Sequence, residues 1–297
     1  MFKSGFVAIL GRPNAGKSTL INTILKDKVA IVSSKAQTTR NAIRGIYTTD
    51  DSQIIFIDTP GVHKPINKLG QQMNKTAISN AAGVDIIYLL LDASVEIGKG
   101  DQFLFEQVKQ LRLPTFLVVT KIDLLTKEQL MKFLIKCSTI YDFEEIIPIS
   151  SVKNDNIDKL LELTVNNLEE GVKYYPDDQI VDYPEQFIIS EVVREKILYL
   201  TSEEVPHSVA VTIESIKRSK DSYYVNVLIL VDRDSQKGII IGKQGQMIKK
   251  IGTLARKDLQ NILGVNLFLE CYVRVEKNWR DKEDKLAKLG YIQIDEE

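Results

Sequence analysis

The segment Gly11–Ser18 matches the phosphate-binding pattern G-x-x-x-x-G-K-[ST] at every fixed position. Backbone N–H groups of such a loop, and of the helix that follows it, point at phosphate oxygens, and the helix dipole adds positive potential. Lys17 is predicted to reach the β- and γ-phosphates, and the Ser18 hydroxyl to bind Mg²⁺. The predicted nucleotide contacts here are Gly11, Arg12, Pro13, Asn14, Ala15, Gly16, Lys17 and Ser18. The pattern alone leaves ATP and GTP equally open.

A second group of candidate residues begins at the end of the predicted strand 53–58. An Asp at a strand end beside a phosphate loop is where P-loop enzymes place a carboxylate for Mg²⁺, which makes Asp58 a predicted metal ligand. Gly61 offers a backbone N–H to a γ-phosphate with no side chain in the way. The predicted nucleotide contacts of this segment are Asp58, Thr59, Pro60, Gly61 and Val62.

Two further loops carry groups suited to choosing the base. Thr120–Asp123 follows the predicted strand 115–120, and Ser150–Val152 follows the predicted strand 145–149. The Asp123 carboxylate can accept hydrogen bonds from guanine N1–H and the exocyclic amine, whereas adenine offers neither donor there and would leave the carboxylate unpaired. Backbone N–H groups of the second loop are predicted to meet guanine O6. The predicted base contacts are Thr120, Lys121, Ile122, Asp123, Ser150, Ser151 and Val152.

These loops require a scaffold that brings several strand ends together, and the first 170 residues have the pattern of one. Strand patterns lie at 5–10, 43–49, 53–58, 85–92, 115–120 and 145–149. Helix patterns lie at 17–27, 70–81, 101–111, 126–138 and 155–170. The alternation predicts a three-layer α/β domain with a mostly parallel sheet, in which ligands bind at the carboxyl ends of the strands. The short connection Asp50–Ser52 predicts an antiparallel hairpin between the second and third strands.

The whole chain has 297 residues, of which 44% are hydrophobic and 27% charged, and its net charge is −1. These values are typical of a soluble globular protein with room for two domains, and they show no global basic bias towards nucleic acid. Cys137 and Cys271 are expected to be buried thiols, and His63 and His207 lack metal-ligand spacing. Without a signal peptide or a run of about 18 apolar residues, we expect a cytoplasmic protein.

The second half of the chain has a different pattern. Pro176 and neighbouring acids indicate a linker at 173–183. The elements predicted after it are a helix around 187–198, strands 208–217 and 223–231, two helices that flank Gly242–Gly245, strand 265–275 and a final helix 280–289. Two glycines between helices predict a tight turn whose backbone approaches a sugar-phosphate chain, as in the GXXG loop of a KH domain. The predicted RNA contacts are Ile241, Gly242, Lys243, Gln244, Gly245, Lys249 and Lys250.

Positive charge is concentrated at this loop. Between Ser235 and Lys257 there are six Lys or Arg residues and no acid, although residues 184–297 as a whole hold 18 basic and 18 acidic residues. A local excess of this kind is what tracking a phosphate backbone requires, and it predicts a local RNA-binding surface.

The order of the four loops in the first half resembles the translation-factor class of P-loop GTPases. The resemblance implies GTP and GDP as ligands, and it makes Thr39, in the long loop 29–40, the second hydroxyl on Mg²⁺. Two positions depart from the class, because Thr120 replaces its usual Asn and Ser151 its usual Ala. We expect Thr120 to weaken the tie between its loop and the phosphate loop.

Val62 stands where Ras-type GTPases place the Gln that orients the attacking water. GTPases with a hydrophobic residue there commonly carry an Asn in the phosphate loop, and Asn14 resembles that residue in type and position. In that group the Asn holds K⁺, which acts as an arginine finger would. The resemblance therefore implies slow, K⁺-stimulated GTP hydrolysis with Asn14, Lys17, Thr39 and Gly61 as the catalytic residues.

A GTPase domain (1–172), a linker (173–183) and a type II KH domain (184–297) together resemble the bacterial Era family. The segments that look like signatures of that family are Lys35–Arg40, Ser190–Lys196 and Ile241–Gly245. The resemblance implies a GTP-hydrolysing protein that binds the single-stranded 3′ end of 16S rRNA and assists small (30S) ribosomal subunit assembly and maturation. It also implies a monomer in the cytoplasm, with a fraction peripherally associated with the inner membrane.

Two other classes of protein stay open. Val62 is compatible with an RNA-binding adaptor that holds its nucleotide as a structural ligand with negligible turnover. A P-loop kinase or ATPase with an unrelated tail is the second alternative, and the Asp123 loop argues against it.

Overall fold

The computed structural model describes residues 1–27, 30 and 39–292. Most of the predicted loop 29–40, including residues 35–38 of the signature that ends at Arg40, lies outside the described residues. The chain divides into two compact units, and the change from the first to the second falls between Asp182 and Tyr183. Each unit has its own sheet and its own core.

Strands and helices alternate along the described part of the first unit. The strands are β1 (Lys3–Gly11), β2 (Ile43–Thr48), β3 (Ser52–Asp58), β4 (Ile86–Asp92), β5 (Thr115–Thr120) and β6 (Glu145–Pro148). The helices are α1 (Lys17–Leu25), α2 (Lys68–Ala81), α3 (Lys99–Leu111), α4 (Lys127–Ser138) and α5 (Ile157–Asn167). The last of these is shorter than predicted, because Asn156 takes a left-handed conformation with φ 57° and Leu168 is extended.

The sheet of the first unit has the order β2-β3-β1-β4-β5-β6. Strands β1, β3, β4, β5 and β6 pair in parallel, and β2 pairs with β3 as the predicted antiparallel hairpin. The predicted fold class is therefore confirmed. Because β1, β3 and β5 run in the same direction, the loops that follow them emerge at the same edge of the sheet.

Both faces of this sheet are buried, which explains the nearly continuous apolar runs of its strands. On one face, Ile87 and Leu89 of β4 pack in a cluster with side chains of α2, α3 and α4. Tyr88, which points to the opposite face, stacks on Phe116 and hydrogen-bonds to Thr164 of α5. Helices on both faces hold the sheet rigid beneath the loops.

Residues 173–182, which fall within the predicted linker, group with the first unit and pair with its hairpin. The backbone N–H of Tyr174 donates to the Gln53 side chain at 2.8 Å, and the N–H of Ile46 donates to the Ile180 carbonyl at 2.8 Å. The segment therefore contributes to the first unit through its backbone.

The second unit contains the helices and strands predicted for a KH domain, with some additions. Its elements are α6 (Glu185–Leu200), α7 (Val205–Ser208), β7 (Ala210–Arg218), β8 (Ser222–Val231), α8 (Asp234–Ile241), α9 (Gln246–Leu263), β9 (Asn266–Val275) and α10 (Glu283–Lys288). Helix α7 was not predicted, because four residues are too few to show a helical period. The predicted final helix is divided into a 3₁₀ turn, Trp279–Asp281, and α10.

The second sheet has the order β7-β8-β9, with β7 antiparallel and β9 parallel to β8. One face of it packs against α6 and α9, where Val193, Ile197, Ile251 and Leu259 are fully buried. Trp279 is also fully buried and donates its indole N–H to the Ser208 carbonyl at 2.8 Å. None of the described helices is long and apolar enough to span a bilayer.

Candidate functional site

The phosphate loop connects the end of β1 to the start of α1 and has the backbone of an anion cradle. Gly16 precedes the first helical residue with φ 96°, and Asn14 also takes a left-handed conformation with φ 65°. Among the described residues no side chain caps this end of α1. The first N–H groups of the helix thus remain available to a phosphate, together with the dipole of the helix.

Lys17 is buried beneath this loop rather than extended into solvent. Its Nζ donates to the carbonyls of Gly11 and Arg12 at 3.1 and 3.0 Å. Burial lowers the pKa of the Lys17 ammonium to about 8, against the opposing effect of the nearby Asp58 carboxylate. An anion bound in the loop would supply the negative charge that this desolvated ammonium lacks.

Ser18, Thr39 and Asp58 come together beside Lys17, although they lie far apart in the sequence. Asp58 Oδ2 accepts hydrogen bonds from Ser18 Oγ at 2.9 Å and from Thr39 Oγ1 at 3.2 Å, and the two hydroxyl oxygens are 2.9 Å apart. Asp58 is fully buried and its Oδ1 has no hydrogen-bond partner among the described residues. Burial raises the pKa of this carboxyl, with Lys17 and the two hydroxyls opposing.

This donor set fits a small divalent cation. Two hydroxyls and a carboxylate are hard oxygen ligands of the kind that Mg²⁺ takes in phosphate sites, where phosphate and water complete the shell. The orphan Oδ1 of Asp58 is a buried acceptor that such a shell would satisfy. The three residues predicted to hold Mg²⁺ are thus the three that the fold gathers.

The loop after β3 lies directly against the phosphate loop. The backbone N–H of Val62 donates to the Gly11 carbonyl at 3.2 Å, and the Val62 side chain is buried in the core. A Cβ on Gly61 would lie 2.9 Å from the backbone nitrogen of Pro13, so no larger residue fits there without moving a loop. The buried Val62 side chain has no means of orienting a water molecule.

His63 and Asn74 fix the next residues of this loop, which the sequence did not indicate. Asn74 of α2 accepts from the backbone N–H of His63 at 3.2 Å and donates to its carbonyl at 2.7 Å. His63 Nδ1 lies 2.9 Å from the Gly61 carbonyl. The backbone at Gly61 is therefore held from both sides.

Thr120 connects its own loop to the phosphate loop. The sequence led us to expect a weaker connection, because Thr replaces the usual Asn at this position. Its hydroxyl is buried and donates to the Ala15 carbonyl at 2.9 Å. The neighbouring Lys121 has φ 60°, and its Nζ lies 2.6 Å from Asp92 Oδ2 at the end of β4. Although burial opposes the change, hydrogen bonds from Lys121 and Ser94 hold the pKa of Asp92 below its usual value.

The two base-choosing loops meet at Asp123. Ser150 Oγ donates to Asp123 Oδ1 at 2.6 Å, and the same hydroxyl oxygen accepts from the N–H of Lys153 at 3.2 Å. Asp123 is otherwise exposed to solvent, so its second oxygen can accept from a base. The sequence placed Ser150 as a backbone donor and did not indicate that its side chain orients Asp123.

Several predicted contact residues have side chains committed elsewhere. The Arg12 guanidinium pairs with Asp101 at the start of α3, 3.0 Å away, so only its backbone belongs to the phosphate loop. Thr59 is buried, and its hydroxyl donates to the Ile9 carbonyl at 2.7 Å. Ile122 packs on the core, and Val152 is exposed. The side chains of Arg12, Thr59 and Ile122 therefore shape the loops rather than line the site.

The GXXG segment forms the predicted tight turn between α8 and α9. Gly242 and Gly245 have φ 71° and 75°, and Gln244 between them has φ 50°. A Cβ on Gly242 would lie 2.6 Å from Met247 Cβ, so the chain can pass this close only as glycine. Lys243, Gln244, Lys249 and Lys250 lie at the surface around the turn, as an RNA contact requires.

The six basic residues of this segment lie on α8, on α9 and in the turn between them. None of them forms an ion pair with the described residues, in contrast to Lys196, which is paired with Asp258 of α9. The six are Lys237, Lys243, Lys249, Lys250, Arg256 and Lys257. Unpaired cations on two helices and the turn between them attract a phosphate chain without first breaking a salt bridge.

Known proteins match both units. The family model described as 50S ribosome-binding GTPase matches residues 6–121, and the KH domain model matches residues 204–280. A solved structure of an Aquifex aeolicus Era variant bound to GDP·AlF₄⁻ is 38% identical, covers 98% of this chain and 100% of its own, and has a TM-score of 0.95.

A second solved structure, of Era in complex with MgGDPNP and nucleotides 1506–1542 of 16S ribosomal RNA, is 37% identical and has a TM-score of 0.95. That similarity covers 99% of this chain and 100% of the other. Because both similarities extend over the GTPase unit and the KH unit alike, the chain belongs to the Era family.

Proposed function

We propose that this protein binds and hydrolyses GTP, binds the single-stranded 3′ end of 16S rRNA, and assists the assembly and maturation of the small (30S) ribosomal subunit. The observation that carries the proposal is the cluster of Ser18, Thr39 and Asp58, with contacts of 2.9 to 3.2 Å, beside the buried Lys17. A GXXG turn with unpaired cations on the same chain supplies the RNA contact. The related Era structures with guanine nucleotides and 16S rRNA support the assignment.

Each loop of the nucleotide site has a separate role in binding the nucleotide. The phosphate loop and Lys17 bind the phosphates, and the Gly61 N–H orients the γ-phosphate. Ser18, Thr39 and Asp58 would hold Mg²⁺, which when bound neutralises charge that develops on the transferring phosphate. Competition of GTP and ATP for a bound fluorescent GDP analogue tests the base choice; equal competition would assign the site to a kinase or ATPase instead.

We further propose that hydrolysis is slow and stimulated by K⁺. Because Val62 is buried and apolar, charge compensation in the transition state has to come from elsewhere, and Asn14 lies on the phosphate loop where an oxygen ligand can meet a cation. Turnover should be faster in K⁺ than in Na⁺ at equal ionic strength. Identical rates in the two salts would contradict the proposal.

A substitution that tests the role of Asn14 has to be compatible with the left-handed backbone conformation at this position. Since φ is 65° at this position, Asn14→Gly removes the side-chain oxygen without adding strain, and Asn14→Asp keeps an oxygen in the same conformation. We expect Asn14→Gly to lose K⁺ stimulation and Asn14→Asp to retain it. Both variants should still bind GDP.

RNA binding through the GXXG turn can be tested with a matched pair of substitutions. Gly245 has φ 75°, and among the described residues nothing lies within 4 Å of the position that a Cβ would take, so both Asn and Asp fit there. We expect Gly245→Asp to weaken binding of single-stranded RNA, because it adds a negative charge, and Gly245→Asn to bind nearly as the wild type does. Nucleotide binding should be unchanged in both, and equal RNA affinities would make the turn purely structural.

In the cell we propose a monomer in the cytoplasm, with a fraction peripherally associated with the inner membrane. Membership of the Era family supports this proposal. Light scattering tests the oligomeric state, and a salt wash of fractionated membranes tests peripheral association. Crosslinking to cellular RNA, followed by sequencing of the bound fragment, tests the choice of 16S rRNA.

An RNA-binding adaptor with a structural nucleotide is the second candidate function. The buried Val62 favours it, because an apolar side chain after Gly61 cannot activate water. Multiple turnovers of GTP in K⁺ buffer would exclude the adaptor. A single bound nucleotide that survives prolonged incubation would support it.

A further inference from the structure

The KH sheet has an open face with exposed aromatic side chains. Helices α6 and α9 cover one face, and alternate residues of β8 and β9 point to the other. On this open face the side chains of Tyr224 and Phe268 are each 51% exposed, and Tyr272 is 45% exposed. Contiguous apolar patches exposed to water mark interaction sites, whereas apolar side chains exposed singly are ordinary.

Two of these rings already form the start of a stack. Tyr224 and Phe268 are register partners on the parallel strands β8 and β9, and their ring centroids are 4.6 Å apart with an interplanar angle of 6°. In the described sheet, β9 is an edge strand, so no further strand covers Phe268 on the side away from Tyr224. A planar base placed there would continue the stack.

Cations lie on both sides of this pair. Lys217 of β7 is the register partner of Tyr224, and Arg256 of α9 lines the same cavity of about 330 Å³ as Lys217 and Phe268. Neither cation forms an ion pair with the described residues, while Glu270 is the acid that shares the cavity. Aromatic rings flanked by free cations are the combination that binds single-stranded nucleic acid.

A row of exposed side chains on α9 runs from the GXXG turn to Arg256, which lines the cavity. Lys249, Thr253 and Arg256 are exposed and are spaced four and three residues apart, so they lie on one face of the helix. They lead from the turn to the edge of β9 over about 10 Å of helix. An RNA strand that leaves the turn along this row would reach Phe268.

We propose that Tyr224 and Phe268 form a base-stacking platform for the single-stranded RNA that emerges from the GXXG turn. The inference rests on the proposed RNA-binding function and extends it from the four nucleotides that a GXXG turn clamps to the nucleotides that follow. The platform selects for a π-face rather than for hydrogen-bonding groups, so it adds affinity with little sequence preference.

The test compares a short and a long RNA on ring-deleted and ring-retaining variants of the full chain. The probes are a four-nucleotide and a ten-nucleotide single strand from the 16S rRNA 3′ end, and the variants are Tyr224→Ala/Phe268→Ala and Tyr224→Phe/Phe268→Tyr. We expect the alanine variant to lose about tenfold in affinity for the long RNA and nothing for the short one. The ring-retaining variant should bind both as the wild type does.

Other outcomes separate failure of the platform from failure of RNA binding itself. If the wild type binds the long RNA and the alanine variant binds it equally well, the platform is wrong while the proposed function stands. An equal loss for both RNA lengths would also overturn it, because the substitutions would then act through the turn. A wild type that binds neither RNA would overturn the proposed function and the platform together.

Photocrosslinking gives an independent readout of the same contact. A ten-nucleotide RNA that carries 5-iodouridine at the end farther from the nucleotides bound by the GXXG turn should crosslink to the peptide that contains Phe268. Crosslinks confined to the GXXG peptide would contradict the platform. The platform would also be contradicted if the wild type and the alanine variant bound RNA equally well and only the wild type bound a protein partner.

Discussion

Thr120 joins two loops of the nucleotide site through one hydroxyl group. It donates to the Ala15 carbonyl at 2.9 Å from a buried position, so the base loop and the phosphate loop move together. An Asn at this position would present an amide, but a hydroxyl at the end of β5 is already close enough to make the bond. The departure from the usual motif therefore changes the donor and keeps the connection.

Replacing this hydroxyl should loosen the nucleotide. In Thr120→Val the buried Ala15 carbonyl loses its partner, at a cost of about 1–3 kcal/mol, and we expect GDP affinity to fall by about tenfold. Thr120→Ser keeps a hydroxyl and should bind nearly as the wild type does. Fluorescence titration with a labelled GDP measures both, and unchanged affinity in the Val variant would show that the bond contributes nothing to the site.

A substitution at Asp123 should change the preference of the site for one base over another. Asp123→Asn exchanges one acceptor oxygen for an amide donor, which repels the guanine amine and can donate to the carbonyl that xanthine has in its place. We expect GTP affinity to fall by about tenfold or more while affinity for XTP rises, with Ser150 still holding the remaining oxygen. An unchanged ratio of GTP to XTP affinity would mean that Asp123 does not contact the base.

Asp123 could be predicted from the sequence because its motif fixes both the position and the chemistry of the side chain. The sequence could not predict where the side chain of a variable position goes. Arg12 lies within the phosphate-loop pattern, yet its guanidinium pairs with Asp101 on α3, a residue that is distant in sequence. Such a pairing depends on how α3 packs, and nothing within the loop records it.

Among the elements and loops of the first unit, the loop after β3 is attached to two neighbouring segments. It is held to the phosphate loop by the Val62–Gly11 hydrogen bond of 3.2 Å and to α2 by the two Asn74 contacts with His63. The backbone at Gly61 fits between these attachments only because no Cβ is present. A loop fixed in this way is suited to sensing whether a γ-phosphate is bound.

Gly61→Ala should separate nucleotide binding from hydrolysis. The added Cβ would come within 2.9 Å of Pro13 and move the loop away from the γ-phosphate, while the groups that bind the diphosphate stay in place. We expect near-normal GDP affinity and a turnover reduced by about tenfold or more. Gly83→Ala is the matched control, because nothing in the described structure lies within 4 Å of the position of its Cβ, and single-turnover hydrolysis should be unchanged in it.

Element positions were predictable because the apolar periodicity of each strand and helix is local. Their ends and the shortest pieces were not, because they depend on single backbone conformations such as φ 57° at Asn156, which starts α5. Helix α7 spans only Val205–Ser208 and has no periodicity to detect. The packing of residues 173–182 on the first hairpin likewise depends on partners that are distant in sequence, such as Gln53 for Tyr174.

For the whole molecule, we propose that nucleotide and RNA are coupled binding partners. GTP would reposition the loops around Thr39 and Gly61 and thereby change the availability of the KH surface, which is a two-state clamp. RNA affinity should differ several-fold between the GDP form and a form with a non-hydrolysable GTP analogue. By linkage, RNA should change the affinity ratio of the two nucleotides by the same factor, and equal RNA affinities in both forms would argue against coupling.

Trp279 gives this two-unit protein an optical label on one unit. It is the one tryptophan in the sequence, it is fully buried, and its indole N–H is bound to the Ser208 carbonyl within the KH unit. Fluorescence excited at the red edge of protein absorption therefore comes from the KH unit, whereas circular dichroism in the far ultraviolet averages over both. Since a bound nucleotide stabilises the unit that holds it, melting followed by the two signals with and without GDP distinguishes one cooperative transition from two.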